Sequence, residues 1–124
     1  MLKGYIGMKR DMDLIRTMLL TIEANEHGFV NNIEIEGYTQ EEIGYHAYLL
    51  GQAGLANVSN VPVRSESPRA IIRNLTWEGH EFLDATRENS IWNQAKDKIN
   101  KIGGATLPIW TALLTELLKQ KLGL

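Results

Sequence analysis

Hydrophobic and polar positions along the chain recur with two different periods, which predict five helices and three short strands. The most complete helix follows Thr39, and its apolar residues recur at i, i+4 and i+7 from Ile43. Glu42 completes a capping-box sequence at its start, and Gly54 supplies a left-handed residue at its end. We expect the helix to bury this face and to display the opposite one, which carries Glu41, Tyr45, Tyr48 and Gln52.

A helix and a strand are predicted before this central helix. Asp11 is a good N-cap, and an apolar stripe from Met12 predicts a first helix that ends near Gly28. From Asn32 to Glu36 the period changes to two, which predicts a half-buried strand. Residues 1–10 show no clear period, and we expect them to form an N-terminal tail.

A hairpin is predicted after the central helix. Residues favourable to strands run from Val58 to Val63 and from Ala70 to Leu75, and the polar tip between them carries Arg64 and Arg69. Pro62 cannot donate a ladder hydrogen bond, so it marks an edge or a bulge.

Three helices complete the pattern. Thr76 caps the first, in which Gly79 lies on the buried face and so predicts a close approach of the helix backbone to the sheet. The second runs from Ile91 to Ile102 and is ended by two glycines, and the third opens at Thr106. Large apolar side chains on these last two helices must be buried, either in the same subunit or against a two-fold partner. We favour a homodimer, because the last helix offers two leucine rows, Leu113/Leu117 and Leu114/Leu118.

Composition narrows the class of protein. A chain of 124 residues with 44% hydrophobic residues and these elements is one α+β, mainly α-helical globular domain. It has no cysteine, which excludes disulfides and cysteine zinc sites. No charged-then-apolar leader opens the chain, and its most apolar stretch carries Glu116, Lys119 and Lys121, so we expect a soluble, cytoplasmic protein with no membrane partner.

The net charge of −2 conceals an asymmetry. The chain up to Leu55 carries −4 and the remainder +2, and no Lys or Arg occurs between Arg16 and Arg64. The central helix therefore lies in an acidic part of the sequence.

The residues that a catalyst would need are scattered. His27, His46 and His80 form no i, i+4 pair with another metal ligand, and neither a phosphate-binding loop nor a serine beside a histidine occurs. We interpret His46 as a hydrogen-bonded histidine at the edge of the core, and His80 with its acidic neighbours as a solvated cluster. We expect no enzyme activity, no metal and no cofactor.

The order of elements, helix, strand, helix, hairpin and helix, is that of a winged-helix domain. The stretch Ile43–Leu55 resembles the recognition helix of winged-helix repressors, and Leu75–Leu83 resembles the Leu-Thr-x-x-Gly-x-x-Phe-Leu that follows the wing. More closely, Met8–Asp13, Ile35–Tyr38 and Leu75–Asp84 resemble an uncharacterised bacterial and prophage family, the domain of unknown function 2513. The winged-helix resemblance implies a winged-helix core at residues 11–87 with two extra C-terminal helices at residues 88–124, and the resemblance to the uncharacterised family implies no particular activity.

Two functions remain open. As a DNA-binding, prophage-associated regulator, the chain would meet phosphates with Arg64 and Arg69 and face the bases of double-stranded DNA with Gln40, Gly44, Tyr45 and Tyr48. The acidic central helix opposes this, because phosphate contacts need Lys or Arg. As a protein-interaction module, the chain would instead present Tyr45, Tyr48 and Leu49 as an amphipathic patch.

Overall fold

The computed structural model describes residues 8–25, 27 and 32–124, and within them the chain is α+β and mainly helical, as predicted. Five helices and one antiparallel two-stranded sheet form there. In chain order the elements are α1 (Met12–Ala24), α2 (Gln40–Gln52), β1 (Ala56–Val61), β2 (Arg69–Leu75), α3 (Trp77–Thr86), α4 (Asn89–Asn100) and α5 (Leu107–Leu122).

The chain divides into two compact units, one reaching His80 and the other beginning at Glu81. The first contains α1, α2, the hairpin and the first turn of α3. Its core is built from aliphatic side chains of α1, α2 and the hairpin. Its buried members include Leu14, Ile15, Met18, Leu19, Ile22, Ile43, Ala47, Leu50, Ala70, Ile72 and Leu75. The boundary predicted between residues 87 and 88 stays a prediction.

Helix α1 begins where the sequence predicted but ends earlier. The Asp11 carboxylate accepts a hydrogen bond from the backbone N–H of Leu14 (3.1 Å), which caps the first turn. The helix ends at Ala24 and not near Gly28, because Asn25 adopts an extended conformation and its side chain accepts from the N–H of His27. Such an Asn turn competes with helix continuation.

The strand predicted at Asn32–Glu36 does not form. Burial alternates as predicted, with Ile33 buried and Glu34 exposed, but among the described residues the sheet consists of β1 and β2. Local hydrogen bonds replace ladder bonds here. The Gln40 side-chain amide donates to the carbonyl of Ile33 (3.0 Å), and the N–H of Tyr38 donates to that of Ile35 (3.2 Å).

The predicted hairpin is confirmed and contains a bulge. Strand β1 ends directly before Pro62, as expected for a residue without an N–H. The partners change from Asn57–Asn74 to Val58–Ile72, which leaves Arg73 as the extra residue on β2. One side of β2 is buried, and the other side displays Arg69, Ile71 and Arg73.

The close approach predicted at Gly79 is also confirmed. The Thr76 hydroxyl accepts from the N–H of Gly79 (3.0 Å) and caps α3, which fixes the start of the helix against the chain before β1. A Cβ atom on Gly79 would overlap the backbone carbonyl oxygen of Leu55. Glycine is required at this position because the obstacle is backbone.

In the second unit, α4 and α5 pack through aromatic rings. Trp92 and Trp110 are stacked with ring centroids 5.0 Å apart, and both are buried. Gly103 and Gly104 end α4 with positive φ angles, as predicted. The helix was predicted to reach Ile102, but it ends at Asn100, and Ile102 beyond its end is 74% exposed.

Glu88 caps α4, although the sequence analysis did not identify it. Its carboxylate accepts from the Ser90 hydroxyl (2.6 Å) and from the N–H of Ile91 (2.9 Å). These hydrogen bonds lower the pKa of Glu88 from 4.5 to about 2. Lys121 of α5 lies 3.3 Å from the same carboxylate.

Replacing Glu88 should change how stability depends on acid. A pKa that is lower in the folded chain means that the ionised cap stabilises above the unfolded-state value of 4.5 and that this contribution is lost as the pH falls towards about 2. We expect Glu88→Gln to lower Tm at neutral pH, and the difference from wild type to shrink at about pH 2. Thermal unfolding followed by circular dichroism measures both. Glu81→Gln, which removes an exposed carboxylate that caps nothing, is the control. A Tm deficit for Glu88→Gln that is unchanged by acid would contradict the role of Glu88 as an ionised cap.

Candidate functional site

Helix α2 lies directly on the hairpin, and two glycines make this possible. A Cβ atom on Gly44 would lie 3.0 Å from the Cβ of Arg69, and one on Gly51 would overlap a methyl group of Val58. The helix backbone therefore approaches both strands so closely that a Cβ atom at either position would force a neighbouring side chain to shift. The predicted recognition helix and wing form one packed assembly within the first unit.

The outward side of α2 carries a pair of stacked tyrosines. The rings of Tyr45 and Tyr48 have centroids 6.2 Å apart and are inclined by 24°. The Gln52 side-chain amide donates to the Tyr48 hydroxyl (2.9 Å), which fixes that ring from the next turn. Both tyrosines are half-buried, so part of each side chain is exposed on this side of the helix.

Both acidic residues in the first turn of α2 are engaged with backbone N–H groups. The Glu42 carboxylate accepts from the N–H of Thr39 (2.8 Å) and completes the predicted capping box. The Glu41 carboxylate accepts from the N–H of Ser67 in the hairpin tip (3.3 Å). This second bond joins the tip to the helix.

The arginines of the hairpin are exposed. Within the part of the chain that the structure describes, Arg64 and Arg69 form no ion pair with a carboxylate. The Arg73 side chain, moved to the outer side by the bulge, donates to the Ser59 hydroxyl (2.8 Å). The aliphatic part of Arg69 runs past Gly44, so this cation lies beside a helix that has no Lys or Arg of its own.

The six residues predicted to contact DNA are distributed over three neighbouring places. Tyr45 and Tyr48 lie on the outward side of α2, and Arg64 lies in the hairpin tip. The other three line a pocket of about 310 Å³ between α2 and β2: Gln40, Gly44 and Arg69. The structure therefore brings Arg69 to the helix but turns Gln40 and Gly44 towards the hairpin.

A buried histidine connects α2 to the start of α1. His46 is 2% exposed, as predicted for a histidine at the edge of the core. Its Nε2 accepts from the backbone N–H of Asp11 (2.9 Å), so Nδ1 carries the proton and donates to the carbonyl of Glu42 (2.8 Å). The Tyr38 hydroxyl donates to the Asp11 carboxylate (2.9 Å), and burial together with that carboxylate raises the pKa of Tyr38 to about 12. Sequence analysis missed this network, whose members are far apart in the chain.

No three His, Asp or Glu side chains within residues 8–25, 27 and 32–124 lie close enough to hold a metal ion. None of the helices there has the length and apolar character needed to cross a membrane.

Comparison with known proteins identifies the family. The model of a family described as Hypothetical protein (DUF2513) matches residues 9–106. The chain belongs to this family. An uncharacterised protein of Haemophilus influenzae is 38% identical over 94 residues, which cover 74% of this chain and 79% of that protein. No solved structure matches the chain.

The matched span shows which elements of this molecule the DUF2513 family model covers. It begins before the Asp11 cap and includes the whole of α2, the hairpin and α4. The α2–hairpin surface and the His46 network both lie inside it, while α5 lies outside. The candidate site is thus part of the family's common domain.

We expect His46→Leu to destabilise this DUF2513 protein by about 2 kcal/mol. Leucine fills much of the imidazole volume but leaves the N–H of Asp11 without its acceptor, and an unsatisfied buried donor costs about 1–3 kcal/mol. Urea unfolding followed by circular dichroism gives the free energy. His80→Leu, which replaces an exposed histidine, is the matched control and should stay within about 0.5 kcal/mol of wild type. Equal effects of the two substitutions would show that the His46 hydrogen bonds contribute nothing.

Proposed function

We propose that this DUF2513 protein is a non-enzymatic, winged-helix-type regulator that binds double-stranded DNA, with α2 as the reading helix and β1–β2 as the wing. The observation that carries the proposal is the position of Arg69 beside Gly44. The sequence alone indicated that the acidic helix α2 would repel phosphate. The position of Arg69 places a cation next to this helix. In this proposal the protein acts in the cytoplasm, a reducing compartment that a chain without cysteine fits.

The charges of the first helical turn favour this function more than the sequence indicated. The Glu41 carboxylate is held by the Ser67 N–H on the hairpin side, and Glu42 is held by the helix cap. Both carboxylates are directed to backbone donors, while Arg64 and Arg69 make no ion pair with the described residues. Cations that contact phosphate release condensed counterions, and this release supplies most non-specific affinity for DNA.

The stacked tyrosines supply a means of reading sequence. Tyr45 and Tyr48 carry hydroxyl groups that donate and accept hydrogen bonds, and their rings can contact the methyl group of thymine. Because contacts to base edges specify and contacts to phosphate position, we expect the two groups of residues to have separable effects. Replacing Tyr45 should change sequence preference more than overall affinity.

A salt titration tests the phosphate contacts. We expect Arg64→Ala/Arg69→Ala to weaken binding to any duplex by at least about tenfold and to reduce the slope of log K against log salt by about 2, since each phosphate contact contributes about 0.9. Fluorescence anisotropy with a labelled duplex, starting at low salt, measures both. Lys98→Ala/Lys101→Ala removes the same charge from the end of α4 and is the matched control.

Two results would contradict the proposal. One is the absence of binding to every duplex tested at low salt, including DNA from the neighbouring locus. The other is an equal loss of slope in the Lys98/Lys101 control, which would indicate a response to net charge alone.

A protein partner is the second candidate function, and the tyrosine pair favours it. Aromatic side chains held on a rigid helix are typical of the centre of protein interfaces. The outward side of α2 also lacks any Lys or Arg. If this function holds, Tyr45→Ala and Tyr48→Ala will abolish capture of the partner, and Arg64→Ala will leave it unchanged.

A homodimer stays a prediction. Leu114 and Leu117 are buried in the second unit, whereas Leu113 and Leu118 are half-buried and border that stripe on either side. In a homodimer, a second copy of the chain would cover the exposed parts of Leu113 and Leu118. Light scattering at high micromolar concentration gives the mass directly, and a monomer would exclude the dimer.

A further inference from the structure

The hairpin tip, residues 62–68, is tied to the start of α2. It lies beyond the paired residues of β1 and β2, whose register ends at Val61 and Arg69. Within the part of the chain that the structure describes, the tip makes one hydrogen bond to a helix side chain. In this bond the Glu41 carboxylate accepts from the N–H of Ser67 (3.3 Å). An ionised acceptor strengthens such a bond, so a residue of the predicted recognition helix fixes the tip.

A second contact lies one helical turn away and fixes the same segment. Glu41 and Gly44 are three residues apart, so they lie on the same side of α2. Gly44 faces Arg69, since a Cβ atom on this glycine would lie 3.0 Å from the Cβ of Arg69. Ser67 precedes Arg69 by two residues. The helix therefore holds the segment that enters β2 at two points.

The tied N–H lies between two cations of the hairpin. Arg64 precedes Ser67 by three residues and Arg69 follows it by two. Both arginines are exposed and form no ion pair with the described carboxylates. A hydrogen bond at Ser67 limits the conformations of the backbone that carries both cations. A loop that is ordered before binding loses less conformational entropy on binding, which raises affinity without adding a contact.

We propose that Glu41 is a positioning residue for DNA, which holds the hairpin tip so that Arg64 and Arg69 are oriented before a duplex binds. The inference rests on the DNA-binding function proposed above, and it assigns to Glu41 a role that its charge alone would not give. The charge repels phosphate, whereas the carboxylate oxygen orders the tip. The two effects are separable, because glutamine has a side-chain oxygen that accepts a hydrogen bond but carries no charge.

The test compares Glu41→Gln with Glu41→Ala in the full chain. Both substitutions remove the charge and its interaction with the helix dipole, but only glutamine keeps an acceptor for the Ser67 N–H. We expect Glu41→Gln to bind a labelled duplex at low salt at least as tightly as wild type. We expect Glu41→Ala to bind at least about threefold more weakly than Glu41→Gln, as measured by fluorescence anisotropy. The slope of log K against log salt should be equal in the two variants, because both keep the same cations.

A second measurement needs no DNA. Relaxation of ¹⁵N nuclei in the free chain gives order parameters for the backbone amides of Arg64, Ser67 and Arg69. We expect these order parameters to fall in Glu41→Ala and to stay close to the wild-type values in Glu41→Gln. This result would show that the acceptor at position 41, and not its charge, orders the tip.

Glu78 supplies the matched control. It is the second residue of α3, as Glu41 is the second residue of α2. Its carboxylate is exposed and forms no hydrogen bond or ion pair with the described residues. Glu78→Gln and Glu78→Ala should therefore bind the duplex equally tightly and leave the order parameters of the tip unchanged.

The possible failures are distinguishable. Equal order parameters in Glu41→Ala and Glu41→Gln would overturn the positioning role, whether or not the chain binds DNA. Equal or tighter binding by Glu41→Ala than by Glu41→Gln would overturn it as well, because the Ser67 N–H would then serve DNA at least as well without its acceptor. Absence of binding by the wild type to every duplex at low salt would instead contradict the proposed function, and the role of Glu41 in DNA binding would fall with it.

Discussion

Trp92→Ala is expected to lower the free energy of unfolding by about 3–5 kcal/mol, because it removes a large buried side chain and leaves a cavity. Trp92 is 1% exposed and stacks on Trp110, which is itself buried. The substitution therefore removes both the apolar contacts of one indole and the ring partner of the other. In the second unit these rings join α4 to α5, so both helices should lose stability together.

The chain contains its own control for this substitution. Trp77 begins α3 and is 75% exposed, so Trp77→Ala removes the same atoms where they are largely in water. We expect it to stay within about 0.5 kcal/mol of wild type. Urea unfolding followed by far-UV circular dichroism gives both values. Similar losses for the two variants would show that the stacked pair contributes little.

Local chemistry explains which parts of the fold the sequence could predict. Asp11, Thr39 and Thr76 each cap a helix by accepting a backbone N–H a few residues away, so the signal and its partner lie in the same short stretch. Positive φ angles at Gly54 and Gly103 likewise end helices where glycine occurs. These positions were predicted because no distant residue decides them.

The strand predicted at Asn32–Glu36 failed for the opposite reason. Alternation of burial identifies an extended chain, but a strand also needs a neighbour, and periodicity contains no information about pairing. Here the Gln40 side-chain amide donates to the carbonyl of Ile33, so a local hydrogen bond takes the place of a ladder bond. The alternation of burial was predictable and the absence of pairing was not.

The sequence predicted where the two tyrosines of the candidate site lie on α2, but it did not predict how the site is arranged. Tyr45 and Tyr48 follow from helical periodicity, which places them away from the buried face. The contact between Gly44 and Arg69 depends on how α2 crosses the hairpin, and residues so far apart in the chain give no local signal for it. The same holds for the bond from Asp11 to His46.

The helical glycines offer a direct measure of how closely α2 and α3 approach their neighbours. Alanine at a helical position gains about 1 kcal/mol over glycine in intrinsic propensity, so any net loss measures the new contact. At Gly79 the added Cβ meets the carbonyl oxygen of Leu55, which also accepts from the N–H of Thr76 (3.1 Å). At Gly51 it meets a side-chain methyl group of Val58.

We expect Gly79→Ala to lower the free energy of unfolding by about 3 kcal/mol and Gly51→Ala to change it by less than about 1 kcal/mol. Backbone at Leu55 can move only by giving up its hydrogen bond to Thr76, whereas the half-buried Val58 can shift towards solvent. Both variants gain the same helical propensity, so the difference between their free energies of unfolding compares the backbone obstacle at Gly79 with the side-chain obstacle at Gly51. Urea unfolding of the pair gives that difference directly. A gain in stability for Gly79→Ala would mean that α3 does not lie against the Leu55 carbonyl. Close approach to that carbonyl would then no longer explain the glycine at this position.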